Sequence, residues 1–389
     1  MTGPDVPSVP RPTAPASDPA ARAGGTLDID LDAAARNYRR LCAEAGSDCA
    51  AVVKADAYGL GVAKLAPAFA RAGARCFFVA SIDEGLTLRP ILDAAGVPEA
   101  VIYILNGPLP GTEADFRVFG LRPVLNSLGD LDLWRRASEQ AGATLPAALH
   151  VDTGMSRLGL PEDELATLAR EPARLAGITL TLVMSHLACA DTPEHPENAA
   201  QLARFQAARA ALPTAPASLA NSSGVFLGPR FQFDLARPGV ALYGVNPTPG
   251  RDTPMHRVVG LRGRVLQVRQ IDAPRGVGYG ASFRAGRRMR IATVAAGYAD
   301  GVLRSASNRA QVTYRGRRLP IIGRVSMDSI TVDVTDLPEG APAPGDFVEL
   351  LGDAHDVDAL ATESGTVGYE VLTALGRRYH RVYHGGGAA

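Results

Sequence analysis

Between residues 50 and 237 the chain carries eight short apolar runs, and the stretches between most of them have helical rather than extended spacing. The runs are AAVVK (50 to 54), FFVA (77 to 80), VIYIL (101 to 105), RPVL (122 to 125), AALHV (147 to 151), LTLVMSH (180 to 186), ASLAN (217 to 221) and FDLAR (233 to 237). A typical interval is GVAKLAPAFARAG, in which Val62, Leu65 and Phe69 fall on one helical face. Uniformly apolar strands alternating with amphipathic helices are the pattern of a parallel sheet covered by helices, and eight repeats point to a (β/α)8 barrel of the TIM type.

After about residue 255 the helical spacing gives way to strand-like runs such as GRVLQVRQI, QVTYRG and DSITVDVT, separated by Gly- and Pro-containing turns. A second, mostly β domain follows the barrel, with a C-terminal helix expected within Val357 to Gly376. The division reads as a tail over residues 1–24, a barrel over 25–250 and a β domain over 251–389. The tail, rich in Pro, Ala, Ser and Asp and without the charge and apolar pattern of a secretory signal, reads as disordered.

Forty basic residues balance forty acidic ones without any block of one sign, which removes the electrostatic case for nucleic acid or a membrane surface. A small-molecule ligand is the better expectation. Cys42, Cys49, Cys76 and Cys189 lack metal-ligand spacing and read as reduced structural thiols of a cytoplasmic protein, with no metal site.

In a parallel barrel the chemistry gathers at the C-terminal rim, where strands run into loops. Lys54 ends the first run, His186 the sixth, Asn221 and Ser222 the seventh, and Arg237 the eighth, while Arg157 lies in the loop after the fifth. Behind four apolar residues the Lys54 amine should be partly desolvated, which lowers a lysine pKa and makes it a nucleophile toward an aldehyde. ANSSG (220 to 224) and RPGV (237 to 240) put exposed backbone N–H groups where such barrels bind phosphate. Each residue alone also has a structural reading: Lys54 as a snorkelling strand-end lysine, His186 as a core histidine, Arg237 as half of an ion pair.

The segments VVKADAYGLG (52 to 61), VDTGMSRLGL (151 to 160), MSH (184 to 186), ANSSG, RPGVALYG (237 to 244), VGYG (277 to 280), AAGYADG (295 to 301), GRVSMD (323 to 328) and YEVL (369 to 372) resemble, in order, the signature blocks of the alanine racemase family. They cover about residues 26 to 385. The resemblance implies a barrel followed by a β domain, in a homodimer whose two sites each borrow residues from the partner's β domain. It also implies pyridoxal 5'-phosphate (PLP) as cofactor, interconversion of L- and D-alanine by two bases, and D-alanine supply for peptidoglycan.

On that resemblance Lys54 carries PLP covalently, and Tyr58, Ser222, Gly239, Val240 and Tyr369 hold its phosphate. Arg237 faces the pyridine nitrogen, and Arg157 reaches the phenolic oxygen and the substrate carboxylate. Tyr279 of the partner subunit is the second base, and Met327 of the partner subunit donates a backbone N–H to the carboxylate. His186 and Arg237 would stabilise a phenolate. Asp191, Tyr298 and Arg304 match positions along the substrate's access corridor, although each also reads as a surface or packing residue, and Tyr279 as a turn tyrosine.

One position departs from the pattern. Seven residues before Arg157 many members have a lysine carbamylated to an anion, and here the residue is His150. The expectation is that neutral His150 accepts a hydrogen bond from Arg157, or that a small anion bridges them; otherwise it fills the barrel interior. Two other functions compete: a non-catalytic PLP-homeostasis barrel, against which the β domain speaks, and a barrel-type decarboxylase, which pairs an acid with the pyridine nitrogen where this chain has Arg237. A racemase of broader specificity is a further alternative.

Overall fold

The computed structural model describes residues 17–387. Chain order begins with a strand β1 (Gly25–Asp30), followed by the strands of the first unit: β2 (Asp48–Cys49), β3 (Ala51–Val52), β4 (Cys76–Val79), β5 (Val101–Ile104), β6 (Leu121–Leu125), β7 (Leu145–His150), β8 (Ile178–Met184), β9 (Ala217–Ser218) and β10 (Leu235–Ala236). Strands β3 to β9 form a seven-stranded parallel sheet in sequence order. Every apolar run of the sequence supplies one of the strands from β3 to β10. The eighth, β10, pairs in parallel with β2. It also receives the Ala50 N–H on Ala236 O at 2.8 Å, while the Arg237 N–H donates to Ala220 O at 2.9 Å, so β10 bridges the sheet's two edges and closes the barrel.

The second unit holds β11 (Val259–Ile271), β12 (Gly276–Val277), β13 (Phe283–Arg284), β14 (Met289–Ala295), β15 (Gln311–Tyr314), β16 (Arg317–Pro320), β17 (Ile330–Asp333), β18 (Phe347–Leu351) and β19 (His380–His384). Its main sheet runs β16-β15-β18-β11-β1-β19, with β14 joining β11 to β17. Two expectations are corrected. The first is the boundary at residue 25, because β1 pairs antiparallel with β11, Leu27 opposite Leu261, and parallel with β19, Leu27 opposite Arg381. The physical reason is legible in TLDID: Leu27 and Ile29 are fully buried while alternate residues are not, the pattern of a sheet covered on one face rather than of a barrel stave. The second is the single C-terminal helix, which is two helices, Val357–Ser364 and Gly368–Ala374, separated at the left-handed Gly365.

Residues 1–16 of the expected tail lie outside the described residues. The rest of it is built: Asp18 caps the short helix Pro19–Arg22, and Arg264 donates to Ala23 O. One hydrophobic core runs through both units, from Leu27 and Phe69 to Leu350 and Tyr379, so the β unit is packed on the barrel rather than tethered to it. No helix among the described residues is long and apolar enough to cross a membrane.

Candidate active site

At the C-terminal ends of the barrel strands lies a cavity of about 370 Å³. Eleven of the residues singled out in the sequence line it: Lys54, Tyr58, His150, Arg157, His186, Asn221, Ser222, Arg237, Gly239, Val240 and Tyr369. No aspartate or glutamate does. A pocket with a lysine and two arginines and no acid selects an anionic ligand by electrostatics alone. Asp191 lines an adjoining cavity of about 550 Å³ that shares Arg157, His186 and Tyr369 with the first.

Lys54 stands two residues beyond β3, whose exit is fixed by the Val53 N–H on Phe78 O at 2.9 Å. The next four residues, Ala55, Asp56, Ala57 and Tyr58, all have φ between 53° and 56°, a complete left-handed turn built without glycine. Each such residue costs about 1–2 kcal/mol, so the turn persists only because its surroundings over-determine it. They do so from three sides. Glu84 accepts the Ala55 N–H at 2.6 Å, Asp56 Oδ1 accepts the Val62 N–H at 2.8 Å, and the β unit reaches over with Arg381 donating to Gly59 O at 2.7 Å and Tyr383 to Leu60 O at 3.0 Å. Burial lowers the Lys54 pKa, the Arg157 charge adds to that, and Glu84 opposes it. The two lysines of the chain are thus unlike, because Lys54 lines the cavity and Lys64 does not.

Arg237 is 4% exposed and has two arms committed, to Ser218 Oγ and to Ser185 O, while its Nε–H has no protein partner among the described residues. Burial brings its pKa down to about 10, so it stays a cation at neutral pH. His186 is pushed far below the usual imidazole range, first by burial and then by the Arg237 and Arg157 charges. It is neutral.

On the phosphate side, Ser222 Oγ accepts the Gly239 N–H at 2.9 Å and the Ala241 N–H at 3.3 Å, which leaves the hydroxyl proton free to donate into the cavity. The Ser222 and Val240 N–H groups have no protein acceptor among the described residues. Gly239 is required by close approach, since a Cβ there would stand 2.2 Å from the Tyr58 hydroxyl. Burial raises the phenols of Tyr58 and Tyr369, whose rings lie 6.1 Å apart, so both are hydrogen-bond donors at neutral pH.

His150, at the end of β7, is pulled from 6.5 to about 3, mainly by burial and then by the Arg237 charge. Its Nδ1 lies 2.9 Å from Asn126 Oδ1. The Asn126 amide is oriented by its Nδ2, which donates to Leu105 O and Val124 O, so Oδ1 must accept and His150 Nδ1 must carry the proton. That leaves Nε2 as a lone-pair acceptor. Arg157, exposed and without a hydrogen-bond or ion-pair partner among the described residues, lines the same cavity.

Tyr279, Met327, Tyr298 and Arg304 line neither cavity of their own chain. They stand on loops of the β unit laced to one another: the Tyr298 N–H donates to Ser326 O and the Ala299 N–H to Met327 O, both at 3.0 Å, and Asn308 links Gly323 to Ser282. Tyr279 is 70% exposed, Met327 52% and Tyr298 45%.

The first part of the chain, residues 29–247, matches the family model for the alanine racemase N-terminal domain, and residues 258–383 match that for the C-terminal domain. The chain belongs to the alanine racemase family. Similar proteins include an alanine racemase from Rhodospirillum rubrum, 53% identical over 94% of this chain and 97% of that protein. A catabolic alanine racemase from Mesorhizobium japonicum is 52% identical over 94% of this chain and 95% of its own length. Among solved structures, the Bartonella henselae alanine racemase with covalently bound pyridoxal phosphate superposes with a TM-score of 0.89 and 43% identity over 93% of this chain and all of that one.

Two residues at this racemase-family site escaped the sequence reading. Asn126, which fixes the His150 tautomer, directly follows the run RPVL, so the strand-end rule that found His186 would have found it. Glu84 carries the capping-box spacing Ser81-x-x-Glu84 after FFVA, a signal that reads as a helix start and conceals its bond to Ala55.

Proposed function

We propose that this chain is an alanine racemase that uses PLP and two opposed bases, one of them supplied by a second copy of the chain. The observation that carries this reading is the left-handed turn that presents Lys54, with lowered pKa, to an acid-free cationic cavity. The donors present suit PLP: a deprotonatable amine for its aldehyde, and free donors of Ser222, Tyr58 and Val240 for its phosphate. When bound, PLP acts as an electron sink that acidifies the α-hydrogen of the amino acid attached to it.

Lys54 then moves a proton on one face of the α-carbon. Inversion needs a second base on the other face, and the imidazoles in the lining, His150 and His186, are made poor proton acceptors by burial and the Arg237 charge. Tyr279 of the partner subunit is assigned that role because an exposed phenol on the β unit, with no function in its own chain, meets the need of a barrel mouth that lacks one. The exposed Leu158 and Val367 around the mouth provide an apolar surface for such docking. Arg157 binds the substrate carboxylate, assisted by the backbone N–H of the partner subunit's Met327. Arg237 stays cationic and disfavours a proton on the pyridine nitrogen, which favours racemisation over transamination.

His150 is assigned to hold Arg157 once the ligands are bound, since in this structure the two line one cavity without a hydrogen bond between them. Its unprotonated Nε2 suits the guanidinium and repels a small anion, so of the two arrangements considered the direct hydrogen bond is favoured. Asp191, Tyr298 and Arg304 border the access corridor. We assign the enzyme to the cytoplasm and its product to peptidoglycan synthesis; one relative described as catabolic makes breakdown of alanine the second reading. Assaying racemisation of the L-amino acids with purified protein and added PLP tests the assignment. Alanine is expected to be the preferred substrate, and no racemisation of any amino acid would overturn it.

A further inference from the structure

We propose that Glu84 is a positioning residue for Lys54, its carboxylate latching the left-handed turn Ala55–Tyr58 against the ends of β3 and β4. This rests on the reading of Lys54 as the reactive amine. Glu84 lies on the first turn of the helix Ile82–Ala94, where a carboxylate ordinarily serves only to cap that helix. Its distances say otherwise. The contact to its own helix start, the Ser81 N–H, is the longest of three at 3.4 Å, whereas the shortest, 2.6 Å, goes to the Ala55 N–H, 29 residues away and next to Lys54. The third, at 2.7 Å, takes the Ala80 N–H at the exit of β4. One carboxylate therefore ties the end of one barrel strand to the first left-handed residue after the neighbouring strand.

The turn has few other restraints on that side. Arg381 and Tyr383 hold its far end, at Gly59 and Leu60, and the Tyr243 hydroxyl holds Val52 O before it begins. Ala55 itself, the residue at which the chain reverses hand, has its N–H on Glu84 alone. The charge matters as well as the geometry. The groups acting on the Lys54 amine are Arg157 and Glu84, and Lys54 in turn acts on His186; Glu84 is the one acid among them. Removing it loosens the turn and leaves the amine facing cations only.

The test uses full-length Glu84→Gln and Glu84→Asp variants, with Ser81→Ala as a control that disturbs the helix start but leaves Ala55 alone. In the cofactor-free chain, acylation of Lys54 by acetic anhydride is followed against pH with Lys64 as internal reference, and deuterium uptake is followed over Ala55–Leu60 and Ile82–Ala94. In Glu84→Gln the Lys54 midpoint is expected to move to lower pH by about half a unit or more. Exchange over Ala55–Leu60 is expected to rise about ten-fold on loss of one charge-assisted bond, with Ile82–Ala94 protected as before. Glu84→Asp keeps the charge on a shorter arm, so it should retain the midpoint while the turn still loosens; this variant decides the matter if the glutamine variant does not fold. A Lys54 profile unchanged in Glu84→Gln, or faster exchange confined to Ile82–Ala94 as in Ser81→Ala, overturns the proposal. Borohydride reduction of the PLP-loaded wild type separates the two claims, because a failure to label Lys54 removes the underlying assignment and not the latch.

Discussion

The barrel mouth and the loop face of the β unit are built to opposite standards. At the mouth, Arg237, His150, Ser222 and Tyr58 are nearly buried, and burial shifts the protonation of Arg237, His150 and Tyr58. On the β face, Tyr279, Met327 and Tyr298 are held by well-bonded backbones but offer side chains to solvent. Buried, pre-organised groups hold a ligand without reorganising, while an exposed phenol and thioether on a rigid loop are the mark of a surface that is completed by something else. The difference is the one expected if, as proposed, each chain carries a binding site and supplies half of a reaction centre to a second copy.

The largest effect is expected at the mouth. Lys54→Ala should lose racemisation by about four orders of magnitude or more, since it removes both the covalent anchor and a base. Borohydride reduction should label Lys54 in the wild type and nothing in the variant; a label on Lys64 would break the assignment. On the β face, Tyr279→Ala should cost about 10²–10⁴-fold in racemisation and leave slow exchange of the D-alanine α-hydrogen with deuterated solvent, because Lys54 still serves its own face. Loss of that exchange too would mean that the two regions do not divide the work.

That division was only half legible in the sequence. Lys54, His186 and Arg237 could be found because each ends an apolar run, and strand ends map directly onto a barrel rim. The left-handed turn could not, since ADAY contains no glycine, the residue that ordinarily marks positive φ. For TLDID the alternation marks a sheet covered on one face, but which strand it joins is not legible, because pairing across more than 200 residues leaves no local mark. Tyr279 and Met327 were reached through family blocks alone; nothing in the spacing of VGYG distinguishes an active-site loop from a turn.

A smaller effect sharpens the description of the mouth. His150→Leu should raise the KM for alanine several-fold, about the worth of one hydrogen bond to a charged group, with PLP affinity nearly unchanged and no response to bicarbonate. Unchanged kinetics would leave Arg157 without the support assigned to it. A last effect, confined to acid pH, is on stability. The folded chain keeps His150 neutral down to about pH 3, whereas an unfolded imidazole protonates below about 6.5. The unfolded state therefore binds more protons in that window, so the stability contributed is complete above pH 6.5 and is lost as the pH falls toward 3. Urea unfolding at a series of pH values should show a shallower acid decline in His150→Leu than in the wild type, and coincident slopes would contradict the burial argument.

The central claim is that each reaction centre is assembled from two chains, and mixing two inactive proteins tests it most directly. Lys54→Ala and Tyr279→Ala homodimers are unfolded or exchanged together, and heterodimers are isolated by two affinity tags. Each heterodimer then holds one site with both bases intact and one with neither, so about half of the wild-type activity per dimer is expected to return. Verified heterodimers that stay as inactive as their parents would show that Lys54 and Tyr279 act within one chain, and the shared-site account would be wrong.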